Sequence, residues 1–180
     1  VKQLEALPPK LRDAWLYGRW DIFEGQFFED FLTEPDAVKC AEAGITPERA
    51  RKERRWTHVI EPFGVPRGWN IVRSFDFGFA KPFSCDWWAI DYDGRAYLIL
   101  QLYGCTQTPN EGVKWNPDRI FGEIHRLETE HPQLKGRQIF GVADPSIWDV
   151  SRGESVEETA SRKFVYFEPG DNHRLPGWMQ

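Results

Sequence analysis

At 180 residues and 41% hydrophobic content, the chain holds enough material for one ordinary domain and an extension. Its formal net charge of −5 provides no bulk positive field to draw it to nucleic acid, so any DNA contact has to be local. Three scattered cysteines, Cys40, Cys85 and Cys105, make neither a disulfide framework nor a metal pair. No apolar run approaches the ~20 residues of a membrane span, and a reducing, cytoplasmic setting is expected. Nine Trp and thirteen Phe would suit a stacking platform for bases or sugars, but they sit inside strand-like runs, as core and interface anchors do.

Two helical segments are expected before residue 33. Pro8-Pro9 opens the first, with Leu11, Trp15 and Leu16 on one face until Gly18. Residues 25–32 then pack Phe27, Phe28 and Phe31 into a short arm that should dock on its own domain or on a neighbour. From Glu34 to Arg55 the chain is a polar excursion or flexible loop. Within it, Thr46-Pro47-Glu48 starts a short helix, and the basic run 52–55 (KERR) reads as a solvated helix face rather than a phosphate contact.

The next segments read as strands. Residues 70–83 (NIVRSFDFGFAKPF) form an apolar run that a strand can bury on both faces, broken by Gly78 and Lys81-Pro82. Residues 84–91 form a second strand, Tyr92-Asp93-Gly94 supplies a hairpin turn, and residues 96–103 alternate as its partner. Asn116-Pro117 caps a helix with an apolar stripe of Ile120, Phe121, Ile124 and Leu127, while Glu123, Arg126, Glu128 and Glu130 are expected to face solvent. Residues 138–143 are uniformly apolar, as in a parallel strand covered on both faces. A helix over 156–163 and a fifth strand over 164–167 (FVYF) complete the chain. Three antiparallel strands, helix, strand, helix, strand is the order of an α/β, RNase H-like mixed sheet with flanking helices.

Two acids stand out against these apolar runs. An ionised Asp76 left without a partner inside a buried strand would cost several kcal/mol, so either a metal or a hydrogen-bond network should compensate it. Asp144 ends the second apolar run, before a Pro turn. Asp76 and Asp144 lie on the strands expected to be neighbours, an arrangement that suits Mg²⁺ or Mn²⁺, which take hard oxygen ligands and retain several waters. The plainer alternative, turn-capping aspartates, is strongest for Asp144 because Asp-Pro-Ser starts turns well. No phosphate-cradling GxxxxGK[ST] is present. The four histidines lack zinc spacing, and neither a GxSxG elbow nor a Cys/His pairing suggests a covalent nucleophile.

Five strings resemble the C-terminal nuclease domain of tailed-bacteriophage terminase large subunits: GRWDIFEGQFF (18–28), HVIEPFGVPRGWN (58–70), SFDFGFAKPFS (74–84), GVADPSIW (141–148) and FEPGDNHRLPGWMQ (167–180). The resemblance implies an RNase H-like endonuclease using two Mg²⁺ or Mn²⁺ ions, with Asp76 and Asp144 at the first two metal positions. It makes residues 1–57 the junction with an ATPase domain and 58–180 the nuclease. The implied partners are double-stranded DNA held by its backbone, the ATPase domain, the terminase small subunit and the portal, in the cytoplasm of a bacterial host and with no membrane. The family's third ligand, an Asp or His, is expected beyond Gln180, unless Asp171 or His173 substitutes. That would leave this chain's nuclease site short of one ligand. Two other readings of the same residues are a glycoside hydrolase with Asp76 and Asp144 as acid and base, and a non-catalytic module of the packaging motor docking through its Phe-rich arm.

Overall fold

The computed structural model describes residues 31–150 and 153–171. The helical segments expected before residue 33 lie outside them except for Phe31 and Leu32, which are not helical and meet His58, the Phe31 ring stacking on it at 5.1 Å and the Leu32 amide donating to its Nδ1 at 2.9 Å; His173 also lies outside. The chain divides into two compact units, Val1–Phe63 and Gly64–Gln180.

In the first unit, the expected loop contains two short helices, α1 (Ala37–Ala43) and α2 (Pro47–Lys52). Asp36 caps α1 by accepting from the Val38 and Lys39 amides, and Gly44 closes it in the left-handed region that a residue without Cβ adopts freely. Thr46 caps α2, with Pro47 in its first turn, as the sequence suggested. The basic run is not one helix face: α2 stops at Lys52, Arg55 pairs with Glu53, and the Arg54 guanidinium lies 4.1 Å over the Phe63 ring.

The second unit is built on a five-stranded sheet in the order β3-β2-β1-β4-β5, from β1 (Asn70–Asp76), β2 (Ser84–Ile90), β3 (Ala96–Tyr103), β4 (Ile139–Ala143) and β5 (Glu168–Pro169). Strands β1, β2 and β3 are antiparallel; β4 runs parallel to β1, and β5 parallel to β4. This is the RNase H-like mixed sheet expected from the sequence.

Alternation along β1 and β2 assigns each side chain to a face. Ile71, Arg73 and Phe75, with Cys85, Trp87 and Ala89, point into the core. Helix α3 (Pro117–Glu130), capped by Asn116, lays its buried stripe of Ile120, Phe121 and Ile124 on that face, where the Phe75 and Phe121 rings meet at 5.2 Å. The second helix, α4 (Val156–Arg162), opens with a capping box between Ser155 and Glu158 and packs against α3, where Lys163 pairs with Asp118 at 2.9 Å.

Three expectations need correcting. Strand β4 is parallel to β1 but not covered on both faces, since Phe140 is 50% exposed and Val142 37%. The run 164–167 is not a strand: Phe164 has φ 60°, Phe164 and Tyr166 are exposed, and only Glu168 and Pro169 pair with β4. Glu128 does not face solvent. It takes a hydrogen bond from Trp87 Nε1 at 2.9 Å and pairs at 2.5 Å with Arg73, which is 2% exposed. Arg73 also donates to the Tyr166 carbonyl and lies 4.3 Å over the Phe167 ring. It reaches them past Gly141, where a Cβ would collide with Arg73 and with the Tyr166 carbonyl.

Candidate functional site

The strand register brings the two predicted acids together. Phe75 of β1 sits opposite Ala143 of β4 in a parallel pairing, so Asp76 and Asp144 are the next residues of neighbouring strands. Adjacent strands lie about 4.8 Å apart, which puts the two acids side by side where these central strands end. Both line a cleft of about 300 Å³, together with Ser74, Ser84, Asp86 and Asp171.

The physical reason for Asp76 differs from the one the sequence suggested. It is not a charge buried mid-strand: it ends β1, and the residue is exposed over its surface as a whole. Enough protein still surrounds its carboxyl to disfavour ionisation, and the negative charge of Asp144 adds to that, so Asp76 is held above the usual carboxylate range. A cation between the two acids would relieve both effects. Asp144 also does what the plainer reading proposed. Its Oδ1 accepts from the Ser146 amide at 2.8 Å, capping the 3-10 turn Pro145–Trp148.

Asp86 was not anticipated as part of this site. It lies on β2 opposite Ser74, on the same sheet face as Asp76, and both its oxygens are engaged: Oδ2 accepts from Ser84 Oγ at 2.8 Å and Oδ1 from Gln101 Nε2 at 2.7 Å. Its signal in the sequence was the alternation Ser84-Cys85-Asp86-Trp87, which puts a carboxylate on the face opposite the buried Cys85 and Trp87. Asp171, named above as one possible substitute for the third ligand, lines the cleft.

The donors are hard oxygens, the kind Mg²⁺ and Mn²⁺ take. Among the described residues no three Asp, Glu, His or Cys side chains converge closely enough to hold one ion. The fit is therefore to ions that keep most of their shell as water or phosphate and take one or two protein carboxylates. No helix among the described residues is long and apolar enough to cross a membrane.

No family model and no curated protein matches the chain. Among solved structures it is similar to the nuclease domain of the P22 large terminase, with 13% identity and a TM-score of 0.44, covering 61% of this chain and 50% of that one. It is similar to the large terminase of a thermophilic bacteriophage in one crystal form with 18% identity and a TM-score of 0.47, over 64% of this chain and 26% of that one. In another crystal form the identity is 15% and the TM-score 0.49, over 97% of this chain and 37% of that one. The chain thus spans half the length of the first of these structures and between 26% and 37% of the terminase from the thermophilic phage.

Proposed function

We propose that the second unit is a metal-dependent endonuclease acting on double-stranded DNA, the nuclease part of a phage DNA-packaging terminase large subunit. The observation that carries this reading is the convergence of Asp76 and Asp144 from adjacent parallel strands onto one cleft. Mg²⁺ or Mn²⁺, two ions in this reading, would supply the Lewis acidity that offsets charge on a phosphodiester under attack by water.

The chain's own residues do the holding. Asp76 and Asp144 are the ligands, and the bond from the Ser146 amide fixes how Asp144 presents its second oxygen. Asp86, restrained by Ser84 and Gln101, is an oriented acceptor for water at the cleft wall. No side chain needs to act as a nucleophile. DNA is gripped by its backbone with little base reading. Docking to an ATPase domain, a small subunit and a portal in the host cytoplasm belongs to the same proposal.

The test is nicking of supercoiled plasmid in Mn²⁺. Wild-type protein should nick and EDTA should stop it. Asp76→Asn should lose activity by more than ~100-fold, the upper end for outer-shell changes at metal sites. Undiminished nicking by Asp76→Asn overturns the reading.

A further inference from the structure

The cleft is acidic in a molecule that is already negative, so a phosphate backbone needs cations nearby to approach it. Beside the cleft, at the sheet end where β1 finishes at Asp76, two connections are locked together: residues 77–83 between β1 and β2, and residues 104–116 between β3 and α3. The Gly112 amide donates to the Ala80 carbonyl at 2.9 Å, and the Gly104 amide to the Phe83 carbonyl at 2.8 Å. Cys105 and Gly112 form an antiparallel bridge. The contact is tight enough to require glycine: a Cβ at Gly112 would strike the Phe79 and Lys81 carbonyls, and one at Gly78 the Lys81 and Pro82 carbonyls. Phe83, 1% exposed with its ring tilted against Trp115 at 5.9 Å between centroids, anchors the pair from below.

This rigid rim displays cations. Lys81 and Lys114 are both exposed, and neither ammonium group has an ion-pair partner among the described residues. Lys114 is held at φ 55°, a left-handed conformation that non-glycine residues rarely adopt. Arg119, in the first turn of α3, is stacked 4.0 Å over Trp115. Of the nearby acids, Asp118 is ion-paired with Lys163, while Glu111 accepts from the Thr106 hydroxyl and keeps its charge.

We propose that this locked pair of connections is a grip for the backbone of duplex DNA, with Lys81 and Lys114 each neutralising a phosphate beside the Asp76–Asp144 cleft. The proposal rests on the nuclease reading and adds where the substrate is held. Rigidity matters because a preformed rim spends little ordering entropy on binding.

The test uses the full chain, a short labelled duplex and fluorescence anisotropy over a salt series in Ca²⁺. Lys81→Ala and Lys114→Ala should each lower the slope of log affinity against log salt by ~1, and the double variant by about twice that, equally for duplexes of different sequence. Lys135→Ala, exposed in the connection that enters β4 at the opposite end of the sheet, should leave the slope unchanged. The proposal is overturned if the double variant keeps the wild-type slope, or if Lys135→Ala lowers it as much. Mn²⁺-dependent thermal stabilisation, measured alongside, separates the two readings. Wild-type protein that takes Mn²⁺ but not DNA sinks the grip alone, and protein that takes neither sinks both.

Discussion

Strand β1 carries two charges three residues apart and treats them in opposite ways. Arg73 is buried in the core against α3, paired with Glu128, with one guanidinium nitrogen bonded to the Tyr166 carbonyl. Asp76 sits at the strand's end, where the protein around its carboxyl, and after it the like charge of Asp144, raise its proton affinity. The first arrangement neutralises a charge to preserve the fold. The second leaves a partly desolvated carboxyl next to a like charge, a combination that a proton or a cation relieves. Taken together they separate the structural polar network of this sheet from its candidate chemistry.

The sharpest way to break the contrast is Glu128→Ala. It strands Arg73 in the core and should cost about 3–5 kcal/mol of unfolding free energy in denaturant titrations. A loss under 1 kcal/mol would mean Arg73 finds another partner. Trp87→Phe removes a buried donor to the same carboxylate and should cost about 2 kcal/mol by the same measurement, combining the lost charged hydrogen bond with a smaller ring.

At the other pole, Asp76→Asn should leave the fold intact and change its response to pH and metal. Because the folded-state affinity of Asp76 for protons is raised, the native protein is favoured while this group is protonated, and that contribution fades as pH climbs through the folded-state value. The melting temperature of wild type relative to Asp76→Asn should therefore fall on going from acid to neutral pH. Mn²⁺ should raise the wild-type melting temperature at neutral pH and leave that of Asp76→Asn nearly unchanged. Equal stabilisation of both proteins would show that the cation binds elsewhere.

Much of this was legible in the sequence because the signals are local. The apolar run of β1, the aromatic run of β2, the alternation of β3, the Tyr92-Asp93-Gly94 turn and the Asn116-Pro117 cap each depend on a few consecutive residues, and each element starts where they put it, although β1 buries one face fully and not both. The pairing of Asp76 with Asp144 was legible at one remove, because two parallel neighbouring strands that end together deliver their terminal residues together.

What escaped was non-local. Arg73 was passed over inside an apolar run because its partner comes from a helix 55 positions later. Glu128 was read as solvent-facing although it lies seven residues after Phe121 and four after Ile124, on the buried side of α3. Asp86 required the register between β1 and β2 to become part of the cleft. The run 164–167 has strand-forming composition, but the backbone turns at Phe164 and pairing begins only at Glu168, so local propensity lost to the path of the chain.

Asp144 couples architecture to reactivity through a single side chain. Its carboxylate holds down the turn that follows β4 while facing the acid across from it, so replacing it with a residue lacking an acceptor would unwind the turn and empty the position together. Asparagine is the exchange that spares the turn and deletes only the charge. A variant that kept the shape of this corner but lost its chemistry would be expected to carry that amide here.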